Sequence, residues 1–459
     1  MIWTNDPTRW LLAAALSASY AMVCLAPYLR ARRKRLNLAA QQARGAVADA
    51  SSPQWIVAYA SQTGNAEELA EQTAASLRLS GIPVRLAELS DLHGADLQAA
   101  ERILFLTSTY GEGDAPDAAA SFAGRLMTAA LPLAHLHYAV LALGDSSYTQ
   151  FCGFGRALDQ WLQGQGARSL FPRIEVDRSA RGAIAQWRQQ LSHLAGTSDA
   201  PDWSAPSFES WRLAARQLLN PGSAGAPVYH IELEPAAQAA LPEWQSGDLV
   251  QVAAPSDPAQ PREYSIASIP ADGRVHLLVR LHRHEDGSLG AASGWLTQQA
   301  EIGADIQLRL RQHRRFRLEG NAELPLILIG NGSGIAGLRG HLKTRALSGQ
   351  RRNWLLFGER NAEHDFHYRA ELQAWQQAGL LPRMDMAFSR DQAQRVYVQD
   401  RVRGNADELK TWLEQGAAIY VCGSLEGMAA GVDLALEEML GRAALDELAA
   451  QGRYRRDVY

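Results

Sequence analysis

Residues 55–79 constrain the fold of this chain more than any other stretch. Six mostly apolar residues, Trp55–Ala60, precede the turn 61–65, and apolar residues at helical spacing follow. The pattern predicts a buried parallel strand, a tight turn and a helix start. The first N–H groups of a helix lack intrahelical partners, and the helix dipole favours an anion. We interpret the turn as a phosphate pocket, although an ordinary turn of small residues explains this stretch alone equally well.

The segment around this turn alternates predicted strands and helices. Strands are predicted at 55–60, 84–88, 103–107 and 139–143 and near 170–176, with helices between them and at 183–194. This order predicts an α/β domain with a doubly wound parallel sheet. Ligands of such sheets bind at the carboxyl ends of the strands. Three loops, 61–66, 107–116 and 144–152, leave those ends.

The three loops together indicate one ligand. Tyr110 and Tyr148 offer flat faces for a planar heterocycle, and Gly111 and Gly113 permit tight turns beside it. Two aromatic loops beside a phosphate cradle point to FMN. The motifs SQTGNAEELA, STYGEGDAPD and LALGDSSYTQFC resemble the flavodoxin-like domain of diflavin reductases. The resemblance implies an FMN site formed by Ser61, Gln62, Thr63, Gly64, Asn65, Ser108, Thr109, Tyr110, Gly111, Gly144, Asp145, Tyr148, Phe151, Cys152 and Asp177.

A second domain is predicted from residue 228, where short alternating segments separated by Pro and Gly suggest a small antiparallel β-barrel. Its motifs PREYSIAS and GAASGWL resemble the FAD site of the ferredoxin–NADP reductase fold. An arginine can pair with a phosphate, a tyrosine can stack on a flavin, and a helix start can accept a pyrophosphate. The expected FAD residues are Arg262, Tyr264, Ser265, Gly290, Ala292 and Ser293.

A third domain is predicted from residue 323, where LPLILIGNGSGIAGLRG reads as a strand, a glycine-rich turn and a helix start. Gly332, Ser333 and Gly334 are the expected nucleotide contacts. Asn331, Ser333 and Gly337 depart from the family pattern GPGTGIAPFR. Further along, FSRDQAQRVYVQD resembles the family site for the 2′-phosphate, which implies a preference for NADPH. The residues expected there are Ser389, Arg390, Arg395 and Tyr397.

The same resemblance implies a catalytic cluster at the hydride path. Cys422 is expected beside the nicotinamide, and Ser265 and Asp457 are expected to complete the cluster. Tyr459, the last residue printed, is expected over the FAD ring. NADPH would give a hydride to FAD, and FAD would pass single electrons to FMN. An aromatic terminus is ordinarily disordered, so its place in this motif favours a functional cap.

The amino terminus is predicted to be a membrane anchor. Residues 10–29 carry no charge, and basic residues follow at 30 and 32–35, which places that flank in the cytoplasm. A buried or interfacial helix is the alternative. The predicted segments are an anchor at 1–35, a tether at 36–53, the FMN domain at 54–195, a linker at 196–227 with a possible helix at 208–219, the FAD-binding barrel at 228–322 and the NADPH domain at 323–459. The helical connecting domain of many relatives is not expected.

Composition limits the possible partners. The formal net charge is −4 and no basic, aromatic-rich stretch occurs, so no nucleic-acid partner is expected. The cysteines Cys24, Cys152 and Cys422 are far apart, which argues against a disulfide framework or a metal site. Acidic residues near the FMN loops, Asp117 among them, either attract a basic partner or form a solvated rim.

Three interpretations of function remain open. The electron acceptor is a hemoprotein, as in sulfite reductase, or a ferric or ferric-siderophore complex at the membrane. The third interpretation is a flavin-binding sensor without turnover.

Overall fold

A computed structural model describes residues 55–178, 180–195, 208–236, 241–284 and 286–459. The predicted anchor at 1–35, the tether at 36–53 and part of the predicted linker lie outside these residues. Among the residues that the structure does describe, no helix has the length and apolar character needed to cross a bilayer.

The first part of the fold is a parallel six-stranded sheet. Its strand order is β2-β1-β3-β4-β5, and β6 also pairs with β4. The strands are β1 (Trp55–Ala60), β2 (Val84–Glu88), β3 (Arg102–Ser108), β4 (His137–Gly144), β5 (Arg168–Ser169) and β6 (Ile174–Asp177). The helices are α1 (Asn65–Leu79), α2 (Gly94–Ala99), α3 (Asp117–Arg125), α4 (Gly153–Gly164) and α5 (Arg181–Ala195). Helices α1 and α5 cover one face and α3 and α4 the other, so the strands are apolar on both faces.

The second part is an antiparallel sheet of six strands in the order β10-β9-β12-β7-β8-β11. A bridge between Ile266 and Leu277 joins its two ends, which curls the sheet into a barrel. The strands are β7 (Glu209–Leu218), β8 (Val228–Pro235), β9 (Leu249–Ala254), β10 (Asp257–Ser265), β11 (Val275–Arg280) and β12 (Asp305–Arg311), and the short helix α6 (Ala291–Gly294) lies beside them. Trp211 and Trp244 are buried inside.

The helix predicted over 208–219 is wrong, because this stretch is strand β7. Trp211 and Leu213 are buried while Glu209, Ser210 and Arg212 are exposed, which is the two-residue period of a strand. The barrel sheet therefore begins before residue 228. Strand β9 ends at 254 and β10 begins at 257, so no domain is inserted between them, as the sequence predicts.

The third part is a parallel sheet in the order β15-β14-β13-β16-β17. Its strands are β13 (Leu326–Asn331), β14 (Asn353–Glu359), β15 (Arg383–Phe388), β16 (Ala418–Gly423) and β17 (Tyr454–Val458). Its helices are α7 (Ile335–Leu347), α8 (Ala362–Asp365), α9 (Arg369–Gln377), α10 (Val398–Gly404), α11 (Ala406–Glu414), α12 (Ala430–Leu440) and α13 (Arg442–Ala450). The predicted fold class, a flavodoxin-like sheet followed by a barrel and an α/β domain, is confirmed.

Candidate active site

The turn between β1 and α1 has the geometry of a phosphate loop. The Ala66 N–H donates to Ser61 Oγ at 3.2 Å, and the Gln62 N–H donates to Ser108 Oγ at 3.2 Å. Gly64 has φ = +87°, a left-handed conformation that glycine adopts without strain. The residues predicted at 61–65 therefore form one loop, which Ser108 braces from the neighbouring strand.

The other two FMN loops meet beside this turn. The Thr109 N–H donates to the Leu143 carbonyl at 2.9 Å, and Tyr110 and Asp114 close the second loop through paired backbone bonds. In the third loop, Asp145 forms an ion pair with Arg178 at 2.6 Å. The Ser146 hydroxyl donates to Asp177 at 2.7 Å. Tyr110 and Tyr148 are both partly buried, and burial raises the pKa of Tyr110 to about 12.

Cys152 is fully buried behind the third FMN loop. Its side chain lies in the core, its S–H donates to the Ala142 carbonyl at 3.3 Å, and burial raises the pKa of its thiol to about 12. A Cβ on Gly144 would lie 2.8 Å from the Cys152 backbone nitrogen, so these residues fix the third loop by close packing. Phe151 packs against the same core. In the structure Cys152 supports the loop, and its contact with the cofactor stays a prediction.

A cavity of about 690 Å³ lies between the barrel and the third domain. Four of the predicted residues, Tyr264, Ser265, Ser333 and Tyr459, line it. Its remaining lining includes residues that the sequence analysis missed, namely Glu263, Arg280, His282 and Arg283. The size, the aromatic rings and the arginines suit a flavin dinucleotide. Arg280 pairs with Glu359 Oε1 through Nη2 at 2.9 Å, so a phosphate would share its guanidinium with that carboxylate.

Other predicted FAD residues lie outside this lining. Ala292 and Ser293 are buried at the short helix α6, and Ser293 Oγ accepts a hydrogen bond from the His282 N–H at 3.2 Å. Gly290 precedes α6. Arg262 is exposed, and its guanidinium donates to the Gln260 carbonyl at 2.6 Å. The α6 residues therefore support the cavity wall through His282, while Arg262 is oriented along its own strand.

The predicted catalytic residues come together although they are far apart in the sequence. The Ser265 hydroxyl donates to Asp457 Oδ2 at 2.7 Å, and Cys422 Sγ lies 3.7 Å from the same oxygen. All three residues are buried, and burial followed by the Asp457 charge raises the pKa of Cys422 well above its usual value. Cys422 is therefore a neutral thiol at physiological pH. His313 was missed, and its Nδ1 lies 3.9 Å from Asp457 Oδ1.

Tyr459 spans two elements of the third domain. Its N–H donates to the Gly423 carbonyl at 3.1 Å, and its hydroxyl donates to Ser333 Oγ at 3.1 Å. Its ring lines the cavity while about half of the residue, 53%, stays exposed. The side chain therefore covers the cavity from the solvent side and is held there by a single side-chain hydrogen bond.

The departures from the family's glycine-rich pattern have local explanations. Asn331 Oδ1 accepts a hydrogen bond from the Ser424 N–H at 2.9 Å, which connects the two turns at the carboxyl ends of β13 and β16. A Cβ on Gly337 would lie 3.3 Å from Cys422 Sγ, so glycine lets α7 approach the cysteine closely. A Cβ on Gly334 would lie 2.0 Å from the Cys422 carbonyl oxygen, so this position requires glycine. Gly332 begins the turn with φ = +56°.

The residues expected to bind the 2′-phosphate lie in the loop that follows β15. Ser389 and Arg390 are held by backbone bonds, each at 2.9 Å, to the carbonyls of Glu359 and Arg360. Arg390, Arg395 and Tyr397 are exposed. The loop presents two guanidinium groups and one aromatic ring to solvent, which suits an anionic ligand, while Ser389 is buried.

The FMN loops face the other two domains across a charged interface. Five arginines, which we call the docking arginines, contact the flavodoxin-like domain: Arg309, Arg311, Arg314, Arg315 and Arg456. Arg456 forms a bidentate pair with Asp117, and its guanidinium carbon lies 5.2 Å from the centre of the Tyr110 ring. The acidic rim predicted near the FMN loops is thus partly paired within the chain.

Comparison with known proteins gives two family matches. The flavodoxin family matches residues 57–187, and the oxidoreductase NAD-binding domain family matches residues 328–433. The sulfite reductase [NADPH] flavoprotein alpha-component of Vibrio cholerae is 30% identical over 90% of this chain and 89% of its own length. The protein of the same name from Vibrio vulnificus is 29% identical over 91% and 89%, and that from Neisseria meningitidis serogroup B is 30% identical over 88% and 89%.

The alignment with the first of these relatives runs over 546 positions, which is longer than this chain of 459 residues, so the relative carries segments that this chain lacks. The family matches and the architecture agree on the cofactors, which are FMN, FAD and NADPH. The protein is an NADPH-dependent flavoprotein oxidoreductase. The chain belongs to the diflavin reductase family, together with the sulfite reductase [NADPH] flavoprotein alpha-components.

Proposed function

We propose that this reductase delivers electrons from NADPH to an electron-acceptor protein of the hemoprotein class, and that it does so at a membrane. One observation supports the electron path most strongly. Two consecutive residues of β17 contact the two flavin sites, one each. Arg456 pairs with Asp117 beside the FMN loops, and Asp457 accepts a hydrogen bond from the Ser265 hydroxyl at the FAD site. When bound, FAD supplies hydride acceptance and FMN supplies single-electron delivery.

We assign the following roles to the chain's own residues. Asp457 holds a negative charge in a buried place, where it would stabilise the positive charge that develops as the nicotinamide loses a hydride. Ser265 orients that carboxylate through its hydrogen bond. Tyr459 excludes water from the cavity until the nicotinamide displaces it. Arg390 and Arg395 select the 2′-phosphate.

The membrane part of the proposal rests on the uncharged residues 10–29 and the basic flank after them. In this arrangement the catalytic domains are cytoplasmic and work near the bilayer surface. A membrane-bound ferric or ferric-siderophore complex is the competing acceptor. The names of the relatives favour the hemoprotein, since each is a sulfite reductase flavoprotein component.

An anaerobic titration of the full chain tests the proposal. Released FMN and FAD are counted, NADPH and then NADH are added, and flavin bleaching is followed. We expect one FMN and one FAD per chain and prompt reduction by NADPH only. The reduced protein is then offered a heme protein and, separately, a ferric chelate. If the ferric chelate oxidises the reduced flavins faster than the heme protein does, the acceptor is a ferric complex and not a hemoprotein. Bound flavins that NADPH leaves oxidised would instead support the sensor.

A further inference from the structure

The phosphate loop of the FMN site contains no positive charge of its own. Residues 61–66, 107–116 and 144–152 include neither lysine nor arginine, while Glu67 and Glu68 occupy the first turn of α1. These carboxylates would repel the phosphate dianion of FMN. A cationic side chain from another part of the chain would offset this repulsion and add to the backbone N–H groups of the turn.

Arg311, the last residue of β12, lies directly against this loop. Its Nη1 donates to Asn65 Oδ1 and to Glu263 Oε1, and the side chain is only 4% exposed. Its Nη2 is buried and has no hydrogen-bond partner among the residues that the structure describes. A buried guanidinium N–H without an acceptor is costly and rare in native structures.

The free nitrogen points at the turn where the phosphate is expected. A Cβ on Gly64 would lie 3.2 Å from Arg311 Nη2, so the absence of a side chain at Gly64 leaves room for the guanidinium. His313, two residues further on, contacts the same loop through the Gln62 carbonyl, with Nε2 at 3.0 Å. The end of β12 is thus packed onto the phosphate loop from the FAD side.

The two acidic residues of the first helical turn are neutralised from the same side. Arg309 Nη2 lies 2.6 Å from Glu68 Oε2, and Arg314 Nη1 lies 3.6 Å from Glu67 Oε1. With these carboxylates paired, Nη2 of Arg311 stays a buried donor beside the loop without a hydrogen-bond partner among the described residues.

We propose that Arg311 of the FAD-binding barrel binds the 5′-phosphate of FMN across the domain boundary and completes the FMN site. The phosphate of FMN then has a ligand in each of the two domains, and FMN binding favours their docked arrangement. Because binding and docking are linked, each strengthens the other by the same factor. This inference rests on FMN being the cofactor and is independent of the electron acceptor.

The test measures flavin affinity and not turnover. The full chain is depleted of FMN while FAD is retained, and FMN and riboflavin are titrated by fluorescence quenching. Riboflavin lacks the phosphate, so it serves as the matched ligand. For Arg311→Gln we expect FMN to bind at least tenfold more weakly, with riboflavin unchanged within twofold. Arg311→Lys, which keeps the charge, is expected to recover most of the FMN affinity.

Arg403→Gln is the control variant, because Arg403 is exposed and pairs with Asp400 and Glu438 within the third domain, away from the docking interface. It is expected to leave the affinity for both flavins within twofold. Equal loss of FMN and riboflavin affinity in Arg311→Gln would assign Arg311 to docking alone, and no loss of either would also overturn the proposal. FAD content and FAD reduction by NADPH verify that each variant is folded, and only variants that keep both are compared. If the natural protein itself lacks FAD or is not reduced by NADPH, the proposed function fails and the Arg311 proposal is judged separately by FMN and riboflavin binding.

Discussion

At the scale of single residues, the charge of Asp457 matters most. Its side chain is 4% exposed and accepts a hydrogen bond from the Ser265 hydroxyl, so in the proposed function it acts on the nicotinamide from a place of low dielectric. We expect Asp457→Asn to slow FAD reduction at saturating NADPH about 10- to 100-fold, which corresponds to about 1.4–3 kcal/mol of barrier. The affinity for NADPH should change little. Anaerobic stopped-flow absorbance measures both, and an unchanged rate would remove Asp457 from the catalytic assignment.

A second prediction at this scale concerns Arg390. If its guanidinium binds the 2′-phosphate, Arg390→Ala should reduce the preference for NADPH over NADH by about 1–3 kcal/mol, since a charge-assisted hydrogen bond is lost. Arg403→Ala removes an exposed arginine from the same domain, where Arg403 pairs only with surface carboxylates. The ratio of kcat/KM values for the two nucleotides should stay constant in that control. Unchanged selectivity between NADPH and NADH in Arg390→Ala would mean that the 2′-phosphate binds at other residues.

His341 gives a third prediction at this scale, because it is fully buried in α7 and burial lowers its pKa to about 3. In the unfolded chain the pKa of this histidine is about 6.5. Below that pH the unfolded state therefore binds a proton that the folded state does not bind. The stabilisation is present above about pH 6.5 and is lost as the pH falls towards 3.

The measurement for His341 is a comparison with His341→Gln, which cannot take up this proton. The unfolding free energy of the natural protein should fall, relative to the variant, by about 2 kcal/mol between pH 7.5 and pH 5. Urea unfolding at both values gives this difference. A constant difference between the two proteins would mean that His341 is protonated in the folded state as readily as in the unfolded state.

At the scale of elements, the turn between β13 and α7 packs closely against the backbone at the end of β16. A Cβ on Gly334 would meet the Cys422 carbonyl oxygen at 2.0 Å and the Gly423 Cα at 2.7 Å, and both are backbone atoms. We expect Gly334→Ala to destabilise the protein by about 1–3 kcal/mol, as overpacking does, and to slow FAD reduction by displacing Cys422. Gly404→Ala is the matched control, since no atom lies within 4 Å of its Cβ position. Equal stability of both variants would contradict this explanation.

The elements also show what a sequence can predict. Strand β1 matches its predicted bounds because six mostly apolar residues and the turn after them leave few alternatives. Strand β7 was predicted as a helix because its residues, including Ala214, Ala215 and Arg216, suit either structure, and only its pairing with β8 and β12 decides the outcome. Such pairing depends on residues distant in the sequence.

The same limit applies to the site. Ser265 and Asp457 are 192 residues apart, and only the resemblance to a family brought them together before the structure did. Arg311 and His313 were missed because no local pattern indicates that the end of β12 meets the loop at 61–65. Their roles depend on how the flavodoxin-like domain packs on the barrel, which local propensity and periodicity do not determine.

At the scale of the whole molecule, docking of the flavodoxin-like domain depends on charge. Four of the docking arginines pair with carboxylates on α1, β2 and α3, while Arg311 donates to the Asn65 amide oxygen. The side chains of Arg456 and Asp117 are only 14% and 20% exposed. Salt screens the more exposed of these pairs, Arg314–Glu67 and Arg315–Glu88, and the attraction between the separated domains, since the Debye length falls from about 10 Å at 0.1 M to about 3 Å at 1 M. We therefore expect electron transfer from FAD to FMN to slow several-fold between 0.1 M and 1 M KCl, while FAD reduction at saturating NADPH stays nearly constant.

A double-mutant cycle separates the Arg456–Asp117 pair from general screening. Arg456→Gln and Asp117→Asn should each slow FMN reduction, and the double variant should be little slower than either, with a coupling of about 1–3 kcal/mol in barrier. Arg403→Gln, which removes an exposed arginine away from the interface, should change neither step. Additive effects of the two substitutions would mean that the pair does not hold the FMN loops against β17. In that case the same flavins would have to approach through a different orientation of the flavodoxin-like domain, and the salt dependence would arise from the other docking arginines.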